Sequence, residues 1–234
     1  MLKRLKIKNV GPMPEMELDF GQRLNLLTGD NGLGKSFLLD IAWWALTFRW
    51  PAEINPRLTS GMMARPRGSG EATIEFASDT TRINHKCAFH RSDQAWTDFQ
   101  LRPLTTGLVL SAMIDGSFAV WDPARNLHKK NEVWSEYRMP PAYVFSPGEV
   151  WNGLENGGGS KRYCNGLVAD WAGWQKENGE AFKYLCKVLE TLSSSDAERI
   201  IPGELTRISI DDVRDIPTLV MPYGERVPVL HASA

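Results

Sequence analysis

The feature that most constrains this chain is the eight-residue run Gly29-Asp30-Asn31-Gly32-Leu33-Gly34-Lys35-Ser36, which matches the phosphate-loop pattern G-x-x-x-x-G-K-[ST] at every fixed position. A short apolar run, Arg23 to Thr28, precedes it, and a long apolar run, Phe37 to Phe48, follows it. A phosphate loop typically follows a strand and precedes a helix, and the two runs predict both. The sequence therefore predicts a polyphosphate-binding turn between a strand and a helix.

The residue types in this run suit phosphate chemistry. Glycine at 29, 32 and 34 allows the positive φ angles that turn successive backbone N–H groups toward a ligand. Lys35 supplies a positive charge for the β and γ phosphates, and the Ser36 hydroxyl can take one position on an octahedral Mg²⁺. The alternative is a glycine-rich turn that matches by chance. Glycine accounts for 20 of 234 residues, and the strand and helix context is also required, so the pattern favours nucleotide binding.

Composition narrows the class of protein. With 234 residues and 42% hydrophobic content, the chain can bury one large core or two modest ones. Lys and Arg number 27 against 28 Asp and Glu, so bulk charge predicts neither a nucleic-acid nor a membrane partner, although a local basic patch stays open. Phe37 to Phe48 is too short to span a bilayer, and Cys87, Cys164 and Cys186 are few and unevenly spaced. We therefore expect a cytoplasmic protein.

The N-terminal region predicts three strands before the loop. Leu2 to Val10 and Met16 to Phe20 both alternate apolar with charged residues, and Arg23 to Thr28 then enters the loop. The helix after Ser36 is apolar nearly all round, which predicts burial between layers, with Trp43 and Trp44 in the core.

This order resembles the ATP-binding-cassette group, and in particular its SMC/RecF branch. In that branch a start such as Leu5-Lys6-Ile7-Lys8-Asn9-Val10 leads to G-x-N-G-x-G-K-S and to an apolar helix that begins with a Leu-Asp pair, here Leu39-Asp40. The resemblance implies an α/β P-loop NTPase fold with an ABC/SMC-like mixed sheet, antiparallel N-terminal strands and a helical subdomain. It implies ATP and Mg²⁺ as cofactors, with Asn9 near the nucleotide and Asn31 shaping the loop. The implied nucleotide-binding residues are Asn9, Gly29, Asp30, Asn31, Gly32, Leu33, Gly34, Lys35, Ser36 and Phe37, with Ser36 also the Mg²⁺ ligand.

The middle of the chain leaves several alternatives open. Arg49 to Gly70 is a Pro- and Gly-rich connection that either lies near phosphates or a partner or is a solvated loop. Glu71 to Asp79 and Thr81 to Arg91 alternate like strands. In the second of these, His85, Cys87 and His90 suggest a metal. A regular strand places His90 on the opposite face, however, and no fourth ligand is evident.

Asp115 has two interpretations. It ends an apolar run, as does the Mg²⁺-linked acid that partners a phosphate loop. Asp115-Gly116 between Leu108–Ile114 and Ser117–Trp121 is also a two-residue hairpin signal, which explains the Asp without chemistry. The same alternatives apply to Asp211. Ala142 to Ser146 predicts a buried strand, after which the cassette group has a catalytic Gln where this chain has Gly148-Glu149.

The last third predicts two helices, 167–178 and 180–193, and short strands at 205–210, 218–221 and 227–230. Its end resembles the start of the signature segment in AAA-family ATPases of bacterial antiphage defence operons of the retron and Septu types, with Ser233 as the signature Ser that touches the γ-phosphate of another subunit. The predicted domains are a nucleotide-binding lobe at 1–150, a helical subdomain at 151–204, and strands leading into a truncated signature segment at 205–234.

The resemblance covers essentially all 234 residues but only the first half of the expected ATPase, because the Asp-Glu strand and the switch His are expected beyond Ala234. Three functions stay open. The first is an SMC/RecF-type ATPase, a head-to-tail homodimer when complete, that controls a nuclease or a DNA partner. The second is a nucleotide-binding regulatory module without turnover, and the third is a small complete P-loop kinase or NTPase that uses Asp115. The first two predict that the isolated chain binds ATP without turnover that depends on Lys35.

Overall fold

The computed structural model describes residues 1–78, 84–96, 107–123, 142–155, 162–193, 195 and 199–231. The chain divides into two compact units, Met1–Ser146 and Pro147–Ala234, which we call the first and second unit. Within the described residues, no helix combines the length and the apolar character needed to cross a membrane.

A five-stranded antiparallel sheet forms one layer of the first unit, in the order β2-β1-β3-β4-β5. Its strands are β1 (Leu2–Val10), β2 (Met13–Asp19), β3 (Thr73–Ser78), β4 (Asn84–His90) and β5 (Ala95–Trp96). Leu5 and Ile7 of β1 are each 1% exposed and lie opposite Phe76 and Ile74 of β3. The alternation in β1 therefore gives one buried face and one charged face.

The charged face of this sheet is electrically balanced. Lys6 Nζ lies 2.8 Å from a Glu15 carboxylate oxygen, Arg4 pairs with Glu17, and Lys86 Nζ lies 3.6 Å from Glu75. Exposed pairs of this kind contribute about 0–1 kcal/mol each. Acids on β2 and β3 therefore pair with these basic residues.

Helix α1 (Lys35–Thr47) lies between two apolar clusters. On one side Trp44 stacks on Trp50, with ring centroids 5.3 Å apart, in the core of the five-stranded sheet. On the other side Trp43 packs with Trp121 and Val144. These belong to a second sheet with the order β6-β7-β8, formed by β6 (Val109–Ala112), β7 (Phe118–Trp121) and β8 (Tyr143–Phe145). The predicted burial of the helix between layers is confirmed. A short helix α2 (Pro51–Ile54) follows it.

The predicted third strand, Arg23–Thr28, was wrong. The structure has no strand there, and Leu24 and Leu26 are 85% and 81% exposed. Asn25 folds the segment on itself, because its side-chain amide both accepts from the Gly21 N–H and donates to the Gly21 carbonyl. A strand needs a neighbour to pair its backbone groups, and none of the described strands pairs with this segment.

The second unit combines helices with small sheets. Its elements are α3 (Pro147–Asn152), β9 (Gly153–Glu155), β10 (Arg162–Asn165), α4 (Leu167–Glu177), α5 (Glu180–Leu192), β11 (Ile201–Pro202), β12 (Thr218–Val220) and β13 (Arg226–Pro228). Val168 and Trp171 of α4 pack with Ile216 and Val229 in its core. Helices α4 and α5 confirm the two predicted helices. The predicted strand at 205–210 was wrong, since only an isolated bridge joins Thr206 to Ile216.

Candidate phosphate-binding site

The phosphate loop has the backbone that its glycines predict. The φ angles of Gly29, Gly32 and Gly34 are 141°, 84° and 85°. Gly34 is also the residue that precedes α1, and a Cβ there would lie 2.7 Å from Pro12 Cγ. A larger residue at 34 therefore meets both backbone strain and a steric clash.

Lys35 folds back over its own loop. Its Nζ donates hydrogen bonds of 2.7 Å to the carbonyl oxygens of Gly29 and Asp30. Ser36 is exposed in the first turn of α1, and that turn contains no acidic residue. The start of α1 therefore brings together the Lys35 ammonium group, the Ser36 hydroxyl and the first backbone N–H groups of the helix. The first turn carries no carboxylate that would oppose an anion.

The β1–β2 turn lies against the start of α1. A Cβ at Gly11 would lie 2.2 Å from Phe37 Cε1, so the Phe37 ring packs tightly under this turn. Of the remaining predicted loop residues, the exposed ones are Asp30, Asn31 and Leu33. Phe37 thus serves the packing of the loop against β1, and only its backbone N–H remains a candidate for contact with a ligand.

Asn9 also takes part in holding the loop region together. It has a φ of 53°, and its Nδ2 donates a 2.8 Å hydrogen bond to the carbonyl oxygen of Glu71. The resemblance placed Asn9 near the nucleotide. In the structure its amide ties the end of β1 to the segment before β3, three residues from the Pro12 that contacts Gly34.

Arg67 is the residue that sequence reasoning did not single out. Its backbone N–H donates to the Asn9 carbonyl at 2.7 Å, and its Nη1 donates to the Pro12 carbonyl at 2.8 Å. Since Pro12 packs on Gly34, this guanidinium lies beside the phosphate loop. Arg65 is used elsewhere, with Nη1 on Gln94 Oε1 and its guanidinium 5.9 Å from the centre of the Phe89 ring. The sequence indicated that the Arg49–Gly70 connection, which contains Arg57, Arg65 and Arg67, could lie near phosphates, but it did not indicate which Arg does so.

Asp115 is engaged in its hairpin. Its Oδ1 accepts from the Ser117 N–H at 3.0 Å and its Oδ2 from Thr59 Oγ1 at 2.8 Å. Burial acts to raise the pKa of Asp115, but hydrogen bonds from Ser117, Thr59 and Ser60 outweigh it and lower the pKa to about 2. The turn is a three-residue loop rather than a two-residue one, with Gly116 at φ 83° and its N–H on the Met113 carbonyl. Both carboxylate oxygens therefore have structural partners.

The other candidates do not converge on the loop. His85 and Cys87 are buried in β4, where the His85 ring stacks on Phe76 at 5.3 Å, and His90 is exposed. Across the described ranges, no group of three or more metal-ligating side chains occurs. Asp211 is exposed in a loop, where its backbone N–H donates a hydrogen bond to Ser209 Oγ. Ser233 lies outside the described residues.

A phosphate loop that leads into a helix buried between β-sheets defines the P-loop NTPase class. The family model for the AAA domain matches residues 4–132, which is more than half of the chain, and the chain belongs to this family.

One curated relative is the DNA repair protein RecN of Synechocystis sp., which is 52% identical to this chain over 40 residues. The aligned segment makes up 17% of this chain and 7% of RecN. The chain therefore matches a small part of that relative's length, and the similarity supports an SMC/RecF-type family of P-loop ATPases.

Proposed function

We propose that this chain binds Mg·ATP through Gly29–Ser36 and supplies the nucleotide-binding region of an SMC/RecF-type ATPase that acts in DNA metabolism or antiphage defence. The observation that carries the proposal is the phosphate loop itself, with glycines at positive φ and with Lys35 and Ser36 at the start of α1. Membership of the AAA domain family and the similarity to RecN support the same class of function.

The residues of the loop fit a nucleotide with its metal ion. Binding exchanges the two Lys35 hydrogen bonds to the Gly29 and Asp30 carbonyls for bonds to phosphate oxygens. The Ser36 hydroxyl supplies a hard oxygen ligand for Mg²⁺, which otherwise keeps waters and phosphate oxygens around it. When bound, Mg²⁺ neutralises charge on the phosphates. Arg67, which donates to the Pro12 carbonyl, is a further cation beside the loop.

Hydrolysis requires a carboxylate that orients the attacking water, and we propose that Asp115 does not supply it. Both of its oxygens accept hydrogen bonds within the β6–β7 turn and from Thr59. In the complete assembly we propose that the acid and the switch His come from other segments. The signature Ser233 then acts across a head-to-tail dimer, with a nuclease or DNA as the regulated partner.

The test is nucleotide-dependent stabilisation of the purified chain. Mg·ATP at a hundredfold excess over its dissociation constant is expected to stabilise the wild type by about 2.7 kcal/mol. Lys35→Ala is expected to abolish this shift, because the ammonium group that binds the β and γ phosphates is gone. Lys86→Ala, which removes an exposed lysine of β4, is the matched control and is expected to keep the shift. An equal shift in wild type and Lys35→Ala contradicts the site assignment.

A further inference from the structure

Asp40 is the one charged residue of α1 after Lys35. It follows Ser36 by four residues, and residues at this spacing lie on the same helix face, with Cβ atoms about 5–6 Å apart. Asp40 is half-buried, one turn along the helix from the hydroxyl proposed to hold Mg²⁺.

Among the described residues, no positively charged group acts on the pKa of Asp40. In the part of the chain that the structure describes, its carboxylate has no hydrogen-bond or ion-pair partner. The charged group that acts on it is Asp115 in the β6–β7 loop. Asp115 is ionised, since its own pKa is about 2. Burial first, and then the Asp115 charge, raise the pKa of Asp40 to about 6.

A half-buried carboxylate without a partner is unfavourable unless a cation or a proton offsets its charge. Helix α1 places this unpaired group on the Ser36 face, where the fold supplies a hydroxyl but no acid in the first turn. Mg²⁺ sites in nucleotide-binding proteins use one or two carboxylates together with phosphates and several waters. Asp40 therefore meets the chemical requirement for a group that supports a metal ion.

We propose that Asp40 positions the Mg²⁺ of bound Mg·ATP by accepting a hydrogen bond from a water on that ion. The inference rests on the proposed function, because Ser36 and the nucleotide hold the ion. The spacing of one helical turn argues for contact through water, since direct ligands lie only about 2.0–2.1 Å from Mg²⁺.

The test separates metal positioning from nucleotide binding. ATP binding is measured by calorimetry in EDTA and then across a Mg²⁺ titration, for wild type, Asp40→Asn, Asp40→Ala and Asp19→Asn. Asp19 is the matched control, because it is an exposed acid at the end of β2 away from the β1–β2 turn.

In EDTA all four proteins are expected to bind ATP alike. The Mg²⁺ concentration that gives half of the metal-dependent gain in affinity is expected to rise about tenfold to a hundredfold in both Asp40 variants. It is expected to stay unchanged in Asp19→Asn. A wild-type Mg²⁺ midpoint in either Asp40 variant overturns the inference while leaving the proposed function intact. Absence of ATP binding by the wild type in both media overturns the proposed function and this inference with it.

Discussion

Two turns in the first unit combine an Asp with glycines at positive φ, and they differ in where their polar groups are bonded. In the hairpin loop, both oxygens of Asp115 and the Gly116 N–H have partners within the fold. In the phosphate loop, the hydrogen bonds of Lys35 to described residues go to two carbonyls of its own loop, and no described side chain caps the first turn of α1. A turn whose polar groups are satisfied is structural, whereas one that leaves donors available is suited to a ligand.

The largest difference between the two turns is expected in the ATP-dependent melting shift after a Gly→Ala substitution in each of them. Gly34→Ala forces a side chain into a φ of 85° and against Pro12, so we expect about 1–2 kcal/mol of strain, further loss from the clash, and no ATP-dependent melting shift. Gly116→Ala, at a φ of 83°, is expected to lower stability by about 1–2 kcal/mol but to keep the ATP shift. Thermal melts with and without Mg·ATP measure both effects, and equal loss of the shift in the two variants contradicts the comparison.

Arg67 gives a smaller effect on the phosphate loop. Arg67→Ala removes the guanidinium that bonds to the Pro12 carbonyl beside Gly34, so ATP affinity is expected to fall about five- to tenfold. Arg65→Ala is the control, because Arg65 contacts Gln94 and Phe89 instead. Isothermal titration with Mg·ATP distinguishes the two, and an affinity for Arg67→Ala equal to that of Arg65→Ala removes Arg67 from the site.

The smallest effect is expected on the pH dependence of stability, through Asp40, whose pKa depends on Asp115 of the hairpin loop. Since the pKa of Asp40 is raised in the fold, folding takes up a proton, and its ionised form destabilises the protein above about pH 6. Stability should therefore rise as pH falls from 7 toward 4. Asp40→Asn is expected to be more stable than wild type by about 1 kcal/mol at pH 7.5, after allowance for solvent screening, and to lose this advantage near pH 4. Denaturant melts at both pH values check this, and a constant difference contradicts it.

Local pattern predicted much of this fold. The alternation in β1 predicted its bounds, the apolar run after the phosphate loop predicted α1, and the patterns at 167–178 and 180–193 predicted α4 and α5 to within one or two residues. The failures are contacts that depend on other parts of the chain. Arg23–Thr28 has strand character, but a strand also requires a partner, and Asn25 makes local bonds instead. Neither the bond from Arg67 to Pro12 nor the approach of Asp40 to Asp115 follows from spacing, because each joins residues more than fifty positions apart.

In the candidate site, too, local features could be predicted from the sequence, whereas features that depend on distant residues could not. The phosphate-loop backbone follows from its glycines, because φ is a local property. The role of Asp115 did not follow, since an Asp after an apolar run fits both a metal ligand and a hairpin. Only the position of Thr59, far away in sequence, shows how its second oxygen is satisfied.

The comparison is tested most directly by measuring ATP binding and phosphate release on the same samples of wild type, Lys35→Ala and Asp115→Asn. We predict that Lys35→Ala loses ATP binding, whereas Asp115→Asn changes neither the ATP dissociation constant nor the rate of phosphate release by more than about twofold. Phosphate release that depends on Lys35 and that Asp115→Asn eliminates would contradict the account, because Asp115 would then be the catalytic acid and not a residue of the hairpin alone.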